Sequence, residues 1–454
     1  MKKNDSLLLA LLPGLLLIWS CSSSPPAEPM VKPHADQMTE LGKSQPIQEP
    51  LHVLTGLDVL IQKDFEILRG MRVGVVTNHT AISRGGKHLV DLLHAAKDIE
   101  VIAIFAPEHG FRGDAEGGHS IPGGQDLGTG APIYSLYGEN RGPNEAMLAD
   151  VDILVFDIQD VGTRFYTYIS TMGYVLEAGA AMNIPVMILD RPNPIGRAIA
   201  GNVLDDGFES FVGRYKIPIQ YGLSMGELAL MIVGEQMIPG LETLELHVVE
   251  CQGWPGDAFW QDTDLSWLPP SPNMRNTNET LTYPGLCLLE GVRINEGRGT
   301  DYPFEVVGTP YMDGALMARN LLDTGLQGFT VEPVSYVPVD IPGAAVNPLF
   351  EGEIVNGVKI KVTDPQTFEA VDFLLHLLVI TKKLYPDDFG WRSARGPDRL
   401  WGGSSLREMV DAGNSVADIK ATYTAEILVF KELRDKYLIY GKVAPMGPYP
   451  SDNH

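Results

Sequence analysis

The sequence is short of cysteine, of basic residues and of long apolar runs, and each shortage argues against a class of protein. It has 3 cysteines in 454 residues, too few for a disulfide framework. Its 34 lysines and arginines are outnumbered by 58 aspartates and glutamates, so the formal net charge is -24. This charge argues against nucleic acid as a partner, because binding to phosphates needs a basic surface. Beyond the N-terminal segment, no run is long and apolar enough to span a bilayer.

Motifs for nucleotides and metals are missing too. The turn after the first predicted strand reads TNHTAISRGGK, which lacks both the G-x-G-x-x-G spacing of dinucleotide-binding proteins and the pattern of a P-loop. His79, His109, His119 and Asp114 come from different loops without a spacing such as H-E-x-x-H. The sequence therefore predicts no cofactor and no metal site.

The N-terminus has the pattern of an export signal. Lys2 and Lys3 precede the apolar run LLLALLPGLLLIW, and residues 1–20 are predicted to be a signal peptide. The stretch LIWSC resembles the lipobox of bacterial lipoproteins, with Cys21 as the lipid acceptor, although Trp19 departs from the usual small residue. We expect an exported protein, lipid-anchored in the periplasm or at the outer membrane. An ordinary secretory signal is the alternative.

After Cys21 the sequence predicts a tether and two domains. Residues 21–50 are rich in Pro, Ser and charge, as linkers are. In residues 51–275, apolar strand patterns at 71–78, 99–108, 151–160 and 185–194 alternate with helical patterns at 86–98, 142–151 and 165–183. This alternation predicts an α/β fold, a Rossmann-like doubly wound parallel sheet. Residues 276–454 predict a smaller α+β domain that completes a cleft, with turns and short strands at 282–310 and helices at 313–325 and 367–385.

Polar side chains follow every predicted strand of the first domain. In a parallel sheet the carboxyl ends of the strands share one edge, where ligands bind. The groups expected at this edge are Asn78, Glu108, Asp157, Gln159, Asp160, Asp190 and Asn193.

Glu108 is the candidate with the clearest chemistry. It lies in FAPEHGFRGDAEGGH (105–119), where an apolar strand runs into a glycine-rich loop, so partial burial could raise its pKa towards that of a general acid. The alternative is that Glu108 braces the loop through backbone N–H groups. Glycoside hydrolysis needs a second carboxylate. The candidates for that role are Asp157, Asp160, Asp190 and Glu296.

Arginines and aromatic residues suggest the kind of ligand. Four arginines near one predicted cleft favour recognition of a carboxylate, namely Arg112, Arg164, Arg191 and Arg298. Five aromatic residues offer faces for sugar rings or simply fill the core, namely Tyr137, Tyr166, Tyr168, Trp254 and Trp267. The Pro- and Trp-rich segment 253–274 reads as a long loop over the cleft.

Three further features leave alternatives open. His109 could orient a neighbour or donate a hydrogen bond to a sugar hydroxyl. Cys251 and Cys287 could pair in an oxidising compartment. The stretch GLSMG (222–226) resembles a nucleophile elbow, but a helical pattern follows and no clear strand precedes it. We therefore interpret Ser224 as a helix cap and not as the nucleophile of an esterase or amidase.

A series of ordered motifs resembles one known family. They include VGVVTNHTA, FAPEHGFRG, VFDIQDVGTRFYTYISTM, LDRPNPIG, PSPNM, YPGLCLLEG and NEGRGTDYPFEVVGTP, and they run from about Gly56 almost to the C-terminus. The family is that of the exo-β-N-acetylmuramidases of bacterial cell-wall recycling (the NamZ type, glycoside hydrolase family 171), formerly a domain of unknown function. Segments near RNTNETLTYPG and after residue 330 depart modestly from its pattern.

The resemblance implies a fold, a reaction and a set of site residues. It implies a Rossmann-like domain joined to a smaller domain, and release of N-acetylmuramic acid from the non-reducing end of peptidoglycan fragments. Glu108 would be the catalytic acid, with His109, Asp157 and Glu296 beside it. The lactyl carboxylate of the sugar would meet Arg112, Arg164 or Arg298. Other positions lining the cleft would be Asn78, Gln159, Tyr168 and Asn193. The alternative function is a non-catalytic lipoprotein that binds cell-wall sugars.

Overall fold

The computed structural model describes residues 49–107, 111, 124–138 and 140–441. The predicted signal peptide, Cys21 and nearly all of the tether lie outside the described residues, and so do Glu108, His109 and Arg112. In the part that is described, no helix combines the length and apolar character needed to cross a membrane. Residues from Pro50 onward belong to one compact unit.

Seven strands form the larger sheet, and six of them are parallel. Their order across the sheet is β3-β4-β2-β1-β5-β6-β7, with only β3 antiparallel to its neighbour. The four predicted strands are present and are shorter at their ends than the apolar patterns. The bounds are β1 Arg72–Thr77, β2 Glu100–Ala106, β3 Gly124–Gln125, β4 Pro132–Ser135, β5 Ile153–Asp157, β6 Val186–Leu189 and β7 Leu246–Val249.

The strand order creates a crevice beside β1. The chain builds the sheet outward from β1 through β2 to β4, then crosses over and builds the other half from β5 through β6 to β7. This reversal is the topological switch point of doubly wound sheets, next to whose carboxyl edge ligands bind. The side chains that follow β1 and β5 are therefore placed at the edge that the sequence predicted.

Helices flank this sheet, as predicted, but most are shorter than their sequence patterns. Their bounds are α1 Gly56–Gln62, α2 Leu89–Ala95, α3 Glu145–Leu148, α4 Tyr168–Met182 and α5 Met225–Gly234. Ser224 accepts a hydrogen bond from the backbone N–H of Glu227, whose side chain reaches back to the N–H of Ser224. This reciprocal cap confirms that Ser224 starts α5.

The C-terminal part is the smaller α+β domain that was predicted. Its three strands form an antiparallel sheet in the order β8-β10-β9. The strands are β8 Val306–Thr309, β9 Phe329–Tyr336 and β10 Val355–Val362. The helices are α6 Thr277–Leu286, α7 Gly314–Leu322, α8 Ala370–Leu384, α9 Arg395–Trp401, α10 Ser405–Asp411 and α11 Val416–Arg434.

Two elements of this domain contain a proline, which is unusual inside a helix or a strand. Residues 282–310, predicted as turns and short strands, begin inside α6, which contains Pro284. The helix continues through the proline because its residues from Glu279 to Leu286 are all buried against neighbours. Strand β9 contains Pro333 and has only β10 beside it. An edge strand tolerates proline because part of its N–H groups have no partner strand.

The two predicted domains share one hydrophobic core. A continuous cluster of buried side chains runs from Phe105 and Phe156 in the large sheet to Phe373 and Trp401 in the C-terminal part. At the junction, the ring of Tyr283 packs edge-on against Phe165 from the first domain, with centroids 5.4 Å apart. The position of one domain relative to the other is thus fixed by packing.

Arg164 adds a polar connection inside this core. Its Nη1 donates to the carbonyl oxygens of Asn202 (2.7 Å) and Ile217 (2.8 Å), and its Nη2 donates to those of Leu400 (3.0 Å) and Trp401 (2.6 Å). The side chain is fully buried, and this burial lowers its pKa to about 9. The expectation that Arg164 binds the substrate carboxylate is not supported, because its terminal nitrogens already bind four carbonyl groups.

Replacing Arg164 with Gln should destabilise the protein by about 3 kcal/mol or more, since buried carbonyl groups lose their donors. The matched control is Arg399→Gln, an exposed position in α9, which should change the free energy of unfolding by about 0.5 kcal/mol or less. Urea unfolding followed by tryptophan fluorescence measures both. Equal stability of the two variants would contradict the assigned role of Arg164.

Candidate active site

The described polar residues at the carboxyl edge of the sheet are held by hydrogen bonds to other groups of the protein. Thr77 at the end of β1 pairs in register with Asp157 at the end of β5. The N–H of Gln159 donates to Oγ1 of Thr80, 3.0 Å away, which joins the loops after the same two strands. The predicted residues whose positions are described, all except Glu108, therefore gather at one edge, but they are buried and hydrogen-bonded there.

Asp157 forms an ion pair inside this network. Its Oδ1 lies 2.5 Å from Nε of Arg191 and its Oδ2 lies 3.1 Å from Nη2. Asp157 is completely buried and Arg191 is 6% exposed. The sequence proposed Asp157 as a second catalytic carboxylate and Arg191 as a carboxylate binder. The structure supports neither role, because each side chain already neutralises the other.

Asp160 and Asp190 are buried carboxylates with structural partners. Tyr221 donates to Asp160 (2.5 Å), while Ser224 and Tyr440 each donate to Asp190 (2.6 Å). Burial raises the pKa of each aspartate to about 6, although these hydrogen bonds act in the opposite direction. Both residues hold loops after β5 and β6 in place.

The main cavity lies between the start of α4 and the C-terminal domain. Its volume is about 840 Å³, within the range of sites for small molecules. Residues 165–168 and residues of segment 271–274 in the first domain line it, together with residues of segments 283–304, 343–349 and 392–400 of the C-terminal domain. The polar side chains along it are Tyr166, Thr167, Tyr168, Ser271, Asn273, Tyr283, Glu290, Glu296, Arg298, Asn347, Arg392 and Ser393.

Three charged side chains form the most polar part of this cavity. Arg298 Nη2 lies 2.5 Å from Oε1 of Glu290, and Arg298 Nε lies 3.3 Å from Oε1 of Glu296. Burial opposes the charge of Arg298, but the two carboxylates outweigh it and raise its pKa well above the usual range. We call Glu290, Arg298 and Glu296 the acidic triad.

Glu296 is the carboxylate with the most altered acidity in the cavity. It is 4% exposed, and burial together with repulsion from Glu290 raises its pKa to about 7. Arg298 partly opposes this rise. A carboxyl group with such a pKa is partly ionised at neutral pH and can accept or donate a proton. Glu296 is therefore a candidate for proton transfer in this cavity.

Glu290 was missed in the sequence. Its signal was available, because Glu290 ends the apolar run GLCLLEG and stands six residues before Glu296. A single glutamate before a glycine does not reveal its ion pair with Arg298, which depends on the turn between them. The structure shows that Arg298 is shared by two carboxylates.

Tyr168 links the network at the sheet edge to the cavity. Asn78 Nδ2 lies 3.1 Å from Tyr168 Oη, and that hydroxyl donates to the carbonyl oxygen of Pro270 at 2.7 Å. Tyr168 lines the cavity, whereas Asn78 is fully buried behind it. Among the described residues, Tyr168 is thus the link between Asn78 and the cavity.

Gln159 and Asn193 lie away from the main cavity. Gln159 donates to the carbonyls of Asp160 (2.8 Å) and Pro192 (3.0 Å), and it lines a smaller cavity of about 310 Å³. Asn193 donates to the carbonyl of Leu223 at 3.0 Å. Direct binding of substrate in the main cavity is not supported for either residue.

Segment 253–274 borders the cavity, but its tryptophans do not line it. Ser271, Asn273 and Met274 are in the cavity wall. Trp254 is buried against Tyr440, with ring centroids 4.9 Å apart, and Trp267 Nε1 donates to the carbonyl of Met274. These two rings pack the loop, whereas Tyr166 and Tyr168 line the cavity.

The described cysteines and histidines form neither a disulfide bond nor a metal site. Cys251 and Cys287 are both buried and free, so the possible pairing of the two is not realised. Among the residues with described positions, no group of three or more Cys, His, Asp and Glu is arranged to hold a metal ion. His79 Nε2 lies 2.7 Å from the carbonyl oxygen of Pro269, and the other predicted candidates, His109, Asp114 and His119, lie outside the described residues.

The segment that carries Glu108 starts at the carboxyl edge of the sheet. Strand β2 ends at Ala106, beside β1, and Phe111 is buried with its ring 5.1 Å from that of His88. Glu108, His109 and Arg112 themselves lie outside the described residues.

The chain is similar to known proteins over most of its length. Peptidoglycan β-N-acetylmuramidase NamZ of Bacillus subtilis is 40% identical over 399 residues, which cover 88% of this chain and 94% of that protein. Crystal structures of two DUF1343 family proteins from Bacteroides fragilis have TM-scores of 0.79 and 0.68. They are 35% and 33% identical, and each match covers 86% of this chain and 99% of the other.

Family models match both parts of the chain. The model of the N-terminal domain of exo-β-N-acetylmuramidase NamZ matches residues 73–278, and that of the C-terminal domain matches residues 281–440. The main cavity lies where these two matched regions meet. The chain belongs to the NamZ family of exo-β-N-acetylmuramidases.

Proposed function

We propose that this protein is an exo-acting glycosidase that releases N-acetylmuramic acid from the non-reducing end of peptidoglycan fragments. Membership of the NamZ family and 40% identity to the Bacillus subtilis enzyme support the reaction. The observation that carries the proposal in the structure is the acidic triad at the wall of the main cavity, because it supplies a carboxyl group of altered acidity.

Glu108 protonates the leaving oxygen in this proposal. Glu108 follows β2 by two residues, and β2 ends beside β1 at the carboxyl edge of the sheet. Tyr168 connects that edge to the cavity through Asn78. The proposal requires the carboxyl group of Glu108 to reach a bond held in the cavity, with His109, its neighbour in sequence, orienting it.

Glu296 is the second carboxylate and works in its ionised form. Glycoside hydrolysis requires one carboxyl group as acid and another as base or nucleophile. Of the four earlier candidates, Glu296 is the one in the cavity wall, whereas Asp157, Asp160 and Asp190 are held by structural partners. Its pKa of about 7 suits a base at neutral pH.

Replacing Glu108 or Glu296 with Gln should lower kcat about 10²- to 10⁴-fold, because each change removes a proton-transfer group but keeps its shape. Glu353→Gln, an exposed carboxylate in the same domain as Glu296, is the control and should keep wild-type kcat. The assay is the release of a chromophore from a β-glycoside of N-acetylmuramic acid. Binding of this glycoside by the wild type without turnover would favour the alternative, a non-catalytic sugar-binding protein.

The stability of the protein should depend on pH through Glu296. Its pKa is raised from about 4.5 to about 7 in the folded state, so the neutral carboxyl favours folding. That contribution is complete below about pH 4.5 and is lost as pH rises through 7, by up to roughly 3 kcal/mol. Glu296→Gln, which cannot ionise, should therefore match the wild type at pH 4.5 and exceed its free energy of unfolding at pH 8. A constant difference across this range, measured by urea unfolding, would contradict the raised pKa.

The mature protein is, in the same proposal, exported and anchored by lipid at Cys21. The apolar segment ending in LIWSC supports this, since it has the pattern of a lipoprotein signal. Peptidoglycan fragments occur outside the cytoplasm, where such a signal would deliver the enzyme. Residues 21–50 would then separate the anchor from the folded part.

Replacing Cys21 with Ser should abolish the incorporation of labelled palmitate into the protein in cells that express the full chain, because the lipid acceptor is lost. Ser22→Ala is the neighbouring control and should incorporate palmitate as the wild type does. Immunoprecipitation followed by autoradiography measures both. Incorporation of palmitate into the Ser variant at the level of the wild type would exclude anchoring at Cys21.

A further inference from the structure

The main cavity contains two described arginines, and they differ in their surroundings. Arg298 is part of the acidic triad and binds Glu290 and Glu296. Two carboxylates around one guanidinium leave a net charge of minus one when Glu296 is ionised. An anionic ligand gains little from Arg298, because the arginine is already neutralised.

Arg392, in contrast to Arg298, is not neutralised by a neighbouring carboxylate among the described residues. It is exposed, lines the cavity, and forms no ion pair with any carboxylate of the described residues. Within the described residues, its side chain donates one long hydrogen bond, from Nη1 to the carbonyl oxygen of Glu290 at 3.5 Å. Its guanidinium therefore keeps most of its N–H donors for a ligand.

The backbone holds Arg392 at the rim of the triad. Its N–H donates to the carbonyl oxygen of Gly291 at 2.9 Å, and the preceding Trp391 forms a β-bridge with Val292. The side chain thus starts next to the turn that carries Glu290, and its charge acts on Glu296, whose pKa it lowers. The backbone of Arg392 is thus held by hydrogen bonds, whereas its guanidinium has one long hydrogen bond to the described residues.

We infer that Arg392 binds the carboxylate of the acidic sugar and so determines specificity for muramyl over neutral N-acetylhexosaminyl substrates. The inference rests on the proposed function for the nature of the sugar. A planar guanidinium donates two parallel hydrogen bonds to a carboxylate. With Arg392 included, the local charge is balanced before the substrate arrives, so the acidic triad does not repel the lactyl group.

The test compares two ligands that differ only in charge. They are a chromogenic β-glycoside of N-acetylmuramic acid and the same compound with its lactyl carboxylate converted to the amide. Arg392→Ala should lower kcat/KM about 10- to 100-fold on the acid, mainly through KM, because one charge-assisted contact is lost. The value on the amide should stay within about threefold of the wild type, as expected for a contact made only by the carboxylate.

Two further variants make the result specific. Arg395→Ala removes an exposed arginine three residues away that is outside the cavity wall, and it should leave both substrates unaffected. Arg392→Lys keeps the charge without the planar donor pair and should restore part of the preference for the acid. Equal losses of Arg392→Ala on the acid and the amide, or no loss on either, would overturn the inference.

Binding measurements separate this inference from the proposed function. Isothermal titration of the Glu108→Gln protein with each glycoside needs no turnover. If the wild type failed to cleave either glycoside, the proposed reaction would be wrong, while the titration would still decide on Arg392. If adding Arg392→Ala to the Glu108→Gln protein weakens binding of the acid but not of the amide, the role of Arg392 is supported. If the ratio of the two affinities stays unchanged, the role is refuted.

Discussion

The main cavity depends on a guanidinium that is not part of its lining. Arg164 donates to two carbonyl groups between β6 and α5 and to two carbonyl groups at the end of α9, 236 and 237 residues away in the chain. The cavity lining of Tyr166 and Tyr168 begins immediately after Arg164, and Leu400 lines the same cavity. One buried cation thus connects two segments of the lining that are distant in sequence. Hydrogen bonds to a charged donor inside a core are among the stronger ones available to a protein.

The acidic triad shows how the protein alters the pKa of an ionisable group. Glu296 would be an ordinary carboxylate in water, but burial and the neighbouring Glu290 favour its neutral form. Arg298 limits this effect without abolishing it, because the arginine is shared with Glu290. The result is a carboxyl group whose two protonation states are close in energy near neutral pH. Such a group is useful for catalysis and unfavourable for stability, a combination common at active sites.

The fold was predictable because its signals are local. Apolar runs such as those of β1 and β5 indicate buried parallel strands, and the polar residues after them mark the carboxyl edge. The assignment of individual roles was less successful, since the partner of a charged residue is distant in sequence. Asp157 looked catalytic until Arg191, 34 residues later, proved to be its partner. No sequence motif pointed to Arg392, because its proposed role depends on the cavity and the acidic triad beside it, which are formed by residues distant in sequence.

Pro333 has a consequence for how copies of this protein behave in a crowded compartment. It lies in β9, the outer strand of the small sheet, where the backbone would otherwise offer a regular row of hydrogen-bonding groups. Proline interrupts that row, so a strand from a second molecule cannot extend the sheet along its full length. The exposed margin of the C-terminal domain is in this way protected against strand-by-strand association, the usual first step towards fibrils.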